Sequence, residues 1–397
     1  MIALNESVRQ AANWPAVSAL SGIFGLRMLG LFMLLPVLAL WAEDLPGATP
    51  LLIGLAIGVY GVTQALFQIP LGALSDSWGR RRVIALGLLV FLVGSVVAAL
   101  ADGIWGVIAG RALQGAGAIA AATTALVADL TPPDRRTRAM ALIGVSVGGS
   151  FALALVLAPI FEGWIGVSGI FWLIAAFTVA ALVVLFRFVP ANGLVASETP
   201  PSWREVASLP GLGPLMSGIF VLHLLMTATF VALPIVLRDV GGLAGPDHWQ
   251  LYLPVLAAAG VAMVPLILFS ERRGYRATAL AIGVALLALG QGGLAWLDNG
   301  LLAIGLSLWV FFIGFSFLEA HLPARLSQAV PAPARGRAMG LYSCAQFLGA
   351  FVGGVAGGAL WGLGGAVAVF AASAMLALAW WLLAVIRPLS AHVRAAS

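Results

Sequence analysis

Long apolar stretches separated by short polar breaks run through almost the whole chain. Dividing the chain at charged residues, prolines and glycine clusters leaves twelve such stretches. As helices that rise ~1.5 Å per residue, they are long enough to cross a hydrocarbon core of ~30 Å. We number them spans 1 to 12, with predicted limits 17–41, 51–73, 83–101, 104–128, 138–161, 167–188, 212–238, 249–270, 277–297, 301–325, 337–360 and 364–387.

Composition supports a membrane location. The chain of 397 residues is 62% hydrophobic and only 9% charged, whereas soluble domains carry ~25% charged residues. The continuous apolar runs differ from the alternating pattern of membrane β-barrels. We therefore predict an all-α integral membrane protein embedded in a lipid bilayer. Its one cysteine, Cys344, excludes an internal disulfide and a cysteine-based metal cluster.

Arginine positions predict the orientation. All 20 basic residues are arginines. If the N-terminus is cytoplasmic, all but Arg27, Arg111 and Arg238 fall on the cytoplasmic side. The positive-inside rule then predicts a multi-pass protein with both termini in the cytoplasm. Because the arginines are scattered over short loops, we expect no nucleic-acid partner.

The chain divides into two similar parts. A polar, proline-rich segment, 189–211, predicts a cytoplasmic linker between an N-terminal half, 1–188, and a C-terminal half, 212–397. Two signatures of the first half recur in the second at nearly the same offset, which indicates a duplicated six-helix unit. The recurring pairs are Ser75-Asp76, Gly79 and Arg81 with Ser270-Glu271, Gly274 and Arg276, and Arg136-x-Arg138-Ala139-Met140 with Arg335-x-Arg337-Ala338-Met339.

Four short motifs carry a resemblance to a known family. GALSDSWGRRR at 72–82 resembles motif A of the major facilitator superfamily, and GRALQG at 110–115 is similar to motif B. RMLG at 27–30 and LEA at 318–320 resemble the drug:proton antiporter branch. Along nearly its whole length the chain resembles YajR-type transporters, and we expect it to lack the C-terminal cytoplasmic domain that these can carry.

The resemblance implies the architecture and the energy source. It implies a major facilitator fold of twelve transmembrane helices in two pseudo-symmetric halves, which the superfamily itself exemplifies among repeat-built transporters. It further implies a monomer in a bacterial inner membrane that uses the proton gradient and no cofactor. In helix 5 the branch normally carries Gly-Pro, where this chain has Ala158-Pro159.

Motif A predicts a conformational latch. The Asp76 carboxylate would cap the positive N-terminus of span 11 when the cytoplasmic side is closed. Gly72 and Gly79 would allow close packing and a turn. The resemblance implies that Arg80 pairs with Asp129 at the end of span 4.

Two arginines lie inside predicted spans, Arg27 in span 1 and Arg111 in span 4. An arginine at mid-bilayer costs roughly 2.5–3.5 kcal/mol on the insertion scale, so each must face protein or water. In this fold both would line the central cavity and orient substrate, with Gln114 one turn away steadying Arg111. The alternative is that each binds backbone carbonyls and locks helix packing.

Glu319 and His223 are the candidate proton carriers. Glu319 is the carboxylate deepest within a span, and His223 lies midway along span 7. A carboxyl group in a low dielectric and a histidine both take up protons reversibly. The alternatives are a structural ion pair and a packed histidine. Residues two apart on a helix point away from each other, so Glu319 and His321 are not predicted to bind a metal.

Glycines repeat in spans 5 and 11, and small residues four apart allow helices to pack closely and slide. We expect them to form the interface between the halves, with static packing as the alternative. The glycines concerned are Gly144, Gly148, Gly149, Gly353 and Gly357.

These observations predict a proton-coupled secondary transporter that exports a small, lipophilic or drug-like compound by alternating access. One alternative is a nutrient importer or facilitator on the same fold. Another is a membrane sensor that does not transport. An enzyme is not expected, because no nucleophile and base converge and no phosphate-binding loop of the GxxxxGK type is present.

Overall fold

The computed structural model describes residues 13–132, 134–191, 202–272, 275–296, 300–331 and 334–386. Residue Gly274 of the repeated signature and residues 192–201 of the predicted linker lie outside this part. The rest of the linker includes a short helix, Trp203–Ala207, which Ser202 and Glu205 start with reciprocal side-chain bonds to the backbone.

The described residues form helices and no strands, as predicted. Two helices are of double length, and each is interrupted by glycines with non-helical dihedrals, at Gly166 and at Gly364 and Gly365. Dividing them there leaves twelve spans, which confirms the predicted number. In this list the first two helices together form span 1, Ile104–Ala116 and Ala120–Asp129 form span 4, and the two long helices hold spans 5 and 6 and spans 11 and 12. The helices are Trp14–Met33, Leu38–Glu43, Pro50–Trp78, Arg80–Ala99, Ile104–Ala116, Ala120–Asp129, Arg136–Phe188, Leu212–Asp239, Trp249–Glu271, Arg276–Ala295, Gly300–Ala329 and Arg335–Ile386.

Span 2 is longer than predicted. The polar stretch after Ala73 was expected to be a loop, but the helix continues to Trp78 and the next helix begins at Arg80. Polar side chains at a membrane surface can be hydrated while the backbone stays helical, so a polar stretch does not by itself end a helix. The break comes from Gly79, whose φ of +102° favours glycine. Asp76 therefore lies on the last turn of a helix.

Spans 1 and 4 are each interrupted near the middle. Span 1 turns at residues 34–37, where Pro36 lacks a backbone donor. Span 4 opens at residues 117–119 between Ile104–Ala116 and Ala120–Asp129. Opening the helix frees the Gly117 carbonyl oxygen, and this becomes important for Arg27.

The bundle has two faces. We call the face with Gly79, residues 130–132 and the short helix Trp203–Ala207 the linker side, and the face with residues 44–49 and 240–248 the far side. The two halves contact each other from mid-membrane to the far side. Span 2 packs along span 11 from Ala65, whose carbonyl oxygen is 3.5 Å from Cys344 Sγ, to Pro50 beside Gly362.

Glycine makes this far-side packing possible. A Cβ on Gly54 would overlap the Gly354 carbonyl oxygen, and one on Gly354 would meet Gly54 and Gly58. Toward the linker side, Leu74 and Trp78 of span 2 are 38% and 45% exposed. The bundle is thus closed between the halves at the far side and open at the linker side.

Candidate functional site

Three polar side chains meet in the C-terminal half near mid-membrane. His223 of span 7 and Glu319 of span 10 lie 3.7 Å apart, measured from Nε2 to Oε2. Gln346 of span 11 lies between them, with its Nε2 2.8 Å from His223 Nε2 and 3.3 Å from Glu319 Oε1. The structure therefore brings together the two predicted proton carriers, which are 96 positions apart in the chain.

The contacts fit one assignment of donors and acceptors when Glu319 is ionised. A carboxylate oxygen only accepts, so the Gln346 amide nitrogen donates to Glu319, and its second hydrogen points to His223. His223 Nε2 must then accept. The other ring nitrogen, Nδ1, is 3.3 Å from the Ile219 carbonyl oxygen and donates to it. This bonding pattern corresponds to a neutral imidazole with its proton on Nδ1.

Aromatic rings connect this cluster with the N-terminal half. Phe315 of span 10 lies 6.0 Å from the His223 ring and 5.7 Å from Phe151 of span 5, between ring centroids. Phe151 in turn packs edge-to-face on Phe32 of span 1 at 5.2 Å. The Glu319 side chain is 36% exposed. The cluster therefore pairs one accessible carboxylate with an apolar, aromatic wall shared by both halves.

Arg27 is placed differently from the prediction. Its side chain is 3% exposed within the N-terminal half rather than in the central cavity. Nη2 donates to Gln64 Oε1 at 2.7 Å and to the Gly117 carbonyl oxygen at 3.0 Å. Arg27 thus binds the carbonyl that the interruption of span 4 sets free. Its contacts match the packing alternative. The physical reason is that a buried backbone carbonyl requires a hydrogen-bond donor, and Arg27 supplies one.

Arg111 is also buried in the N-terminal half, at 1% exposure. It donates to the Ala56 carbonyl oxygen at 3.3 Å, to that of Ile57 at 3.4 Å and to Gln114 Oε1 at 2.9 Å. The expected contact with Gln114 is present. The cavity placement is wrong for Arg111 in this structure, since its donors turn inward to span 2.

The motif A side chains form a cluster within the N-terminal half. Arg80 Nε is 3.3 Å from Asp129 Oδ2, and Arg80 Nη1 contacts the Asp76 carboxylate and donates to Ser75 Oγ at 2.7 Å. The Asp76 side chain is 63% exposed. In this linker-side-open arrangement Asp76 faces Arg80. Gly72 lies on the same helix, where a Cβ would be 3.1 Å from the Ala121 side chain.

The predicted interface glycines need correction. Gly144, Gly148 and Gly149 are exposed, and a Cβ on any of them would meet nothing within 4 Å. Span 5 instead turns a serine to span 1: the Ser150 hydroxyl donates to the Gly25 carbonyl oxygen at 2.8 Å. The three glycines lie toward the linker side, where the halves are apart.

Gly353 and Gly357 do pack closely, but on span 7 of their own half. A Cβ on Gly353 would overlap the Leu224 carbonyl oxygen, and one on Gly357 would lie 3.1 Å from Ala228 Cα. Gly354, one residue further on, faces the other half. One residue on a helix is a rotation of about 100°, so the glycine pattern located the helix but not the face.

Comparison with known proteins assigns the class. Residues 20–331 match the family model of the Major Facilitator Superfamily. The chain belongs to this superfamily and is a secondary transporter rather than an enzyme.

Among individual proteins, the chain is similar to the inner membrane transport protein YajR of Escherichia coli. The two are 43% identical over 382 residues, which cover 95% of this chain and 84% of that protein. It is 26% identical to the multidrug resistance protein MdtH of Aeromonas hydrophila over 364 residues, 89% of each chain. A bacterial homologue of the human lysosomal transporter Spinster, solved in an inward-facing and occupied conformation, shares the fold with a TM-score of 0.72, at 14% identity over 96% of each chain.

Proposed function

We propose that this protein is a proton-coupled antiporter that exports a small, lipophilic or drug-like compound by alternating access. The observation that carries the proposal is the His223–Glu319–Gln346 cluster beside the aromatic wall. A carboxylate that is partly accessible and adjacent to a neutral histidine can take up and release a proton. The aromatic rings supply apolar surface for a substrate. The multidrug resistance name of MdtH, a relative, favours the same class of substrate.

The linker side is the cytoplasmic side in this proposal, because the arginines concentrate there. The structure would then represent the cytoplasm-facing state of a monomer in an inner membrane. In the opposite state span 2 would close against the start of span 11. Asp76, exposed here, would then cap that helix and favour closure.

The proton gradient is large enough to drive export. One proton that moves with a membrane potential releases ~2.3 kcal/mol per 100 mV, and each pH unit adds ~1.4 kcal/mol. The sum supports a substrate gradient of several hundred-fold without a cofactor.

The test uses purified protein in liposomes with an imposed pH gradient and an internal pH dye. Lipophilic cations and neutral drugs are added one at a time to wild type, Glu319→Gln and Asp102→Asn. Asp102 is an exposed carboxylate on the far-side turn and serves as the matched control. We expect substrate-triggered proton flux in wild type and the control, and its loss in Glu319→Gln.

Other results would point elsewhere. Coupled flux that persists in Glu319→Gln would contradict the proposed coupling site. Substrate flux that runs inward with the proton would favour the nutrient importer. Absence of flux with every compound would argue against export of this class.

A further inference from the structure

We propose that Gln346 is the positioning residue through which the proton on the His223–Glu319 pair acts on span 11. The inference rests on the proposed function, since it assumes that this pair carries the proton. It assigns a role to a side chain that the sequence motifs do not include. Gln346 is the group of this cluster on span 11, which packs along span 2 of the other half.

Gln346 contacts both members of the pair. Its amide nitrogen donates to both members of the pair, at 2.8 Å to His223 Nε2 and 3.3 Å to Glu319 Oε1. The bond to His223 requires an unprotonated Nε2. If a proton binds there, the ring nitrogen becomes a donor and can no longer accept from the amide. At least one of the two bonds is then lost, or the amide rotates.

Gln346 also lies where span 11 packs on span 2. Its neighbours in sequence hold span 2: Phe347 packs on the Tyr60 ring at 6.0 Å, and Cys344 Sγ donates to the Ala65 carbonyl oxygen at 3.5 Å. A Cβ on Gly61 would overlap the Phe347 carbonyl oxygen. A change at Gln346 therefore reaches the packing between the halves within one helical turn.

Other titratable groups around the pair do not replace this link. The Tyr342 hydroxyl, one turn before Gln346, is buried without a hydrogen-bond partner among the described residues, and so is Glu319 Oε2. On span 10 the His321 ring stacks on Phe317 at 4.9 Å, two positions beyond Glu319 and on another face. Gln346 is the side chain that bonds both members of the pair at once.

The unprotonated pair is the form that holds Gln346 in this far-side-closed structure. Protonation weakens that hold, so lower pH should favour opening of the far side. The reporter is Ile53→Cys in a chain that also carries Cys344→Ala. Ile53 is 7% exposed and lines the far-side cleft with Val231 and Trp361. Opening of that cleft should increase its labelling by a maleimide.

The experiment measures reporter labelling between pH 8 and pH 6 in the full-length protein in liposomes. The reporter chain is compared with versions that add Glu319→Gln, Gln346→Leu or Gln291→Leu. Gln291 is the matched control, a buried glutamine of the same half that bonds Thr229 at 2.7 Å and not the pair. Maleimide reacts with the thiolate, whose population falls on the order of a hundredfold between pH 8 and pH 6. Each labelling rate is therefore divided by the rate of a free thiol peptide at the same pH, and the difference from Glu319→Gln isolates the contribution of the pair.

We expect this normalised labelling to rise severalfold at pH 6 in the reporter chain and in Gln291→Leu, and the rise to disappear in Glu319→Gln and Gln346→Leu. A rise retained in Gln346→Leu but lost in Glu319→Gln would overturn the role of Gln346 and leave the proposed function intact. A rise that Glu319→Gln does not alter would overturn the coupling site, and the role of Gln346 with it. If Gln346→Leu does not fold, Gln346→Met, which keeps the side-chain length, is measured with the same expected and opposing results.

Discussion

Two clusters of charged residues lie at opposite faces of the bundle and differ in what they connect. On the far side, Arg238 Nη1 of span 7 is 3.0 Å from Glu43 Oε2 of span 1, so this ion pair joins the two halves. On the linker side, Arg80 pairs with Asp76 and Asp129 inside one half. The same chemistry holds two halves together at one face and organises a single half at the other.

The difference shows how the molecule distributes its contacts in this state. At the far side the charged pair adds to tight helix packing around Gly54 and Gly354. At the linker side, contact with the other half is not needed to satisfy Asp76, because Arg80 does so. A switch between states must therefore break the helix packing at the far side. At the linker side it only moves the Asp76 carboxylate, which is already exposed, from Arg80 to a new partner.

The largest effect is expected from Gly354→Leu. A side chain at this position has no space against Gly54 and Gly58, so the far side should not close. Transport should be abolished. Ile235 on the far side is 4% exposed. Maleimide labelling of Ile235→Cys should rise by about tenfold or more, if the closed far side loses more than ~1.4 kcal/mol of stability. Gly144→Leu, where nothing lies within 4 Å, is the control. Equal labelling of the two variants would contradict the role of this packing.

Asp76→Asn should have the next largest effect. Because the carboxylate contacts only its own half here, the present state should keep its stability. The opposite state should lose ~1 kcal/mol of helix-end stabilisation, which corresponds to about fivefold slower transport. The measurement is substrate flux together with membrane insertion, which should be normal. Asp134→Asn, a carboxylate 72% exposed on the same face, should leave flux unchanged. Wild-type flux in Asp76→Asn would rule out the latch.

Arg238→Gln should have a smaller effect on the far side. Arg238 and Glu43 are 43% and 29% exposed, and such partly solvated pairs contribute roughly 0.2–1 kcal/mol. Labelling of the Ile53→Cys reporter should therefore rise about 1.4- to fivefold. Asp239→Asn, which keeps the bond between the halves, should label at the starting rate. A larger rise in Asp239→Asn than in Arg238→Gln would contradict the role of the Arg238–Glu43 pair in stabilising the closed far side.

Ionic strength should produce the smallest change. Salt at about 0.5 M screens exposed charges beyond a few ångström. Reporter labelling should rise less than about twofold in the chain with Arg238, and not at all once Arg238→Gln has removed the pair. A salt effect of equal size in both would show that screening acts somewhere other than this pair.

Sequence patterns select two pairs of residues that the fold brings into contact. Glu319 and His223 were selected separately as titratable groups inside apolar spans, and the fold brings them within 3.7 Å. Arg80 and Asp129 were paired through the family motif, and they are in contact. These residues carry rare chemistry in an apolar chain, so their types alone distinguish them.

Other parts followed from local backbone geometry that the sequence pattern did not contain. Arg27 binds a carbonyl that is free only because span 4 opens at residues 117–119. Gln346 was not selected, since a neutral amide in span 11 has no charge to mark it. Its signal was a single polar side chain between Ala345 and Phe347 in an apolar span.

By itself the sequence determined the membrane class and the number of spans, because hydrophobic length is a property of the linear chain. The facing of side chains was decided only by the tertiary structure. Gly353 packs within its half while Gly354 packs across it, and Arg111 turns inward rather than to the cavity. The physical reason is that a helix in an apolar bundle has neighbours on every side, so hydrophobicity does not distinguish one face from another.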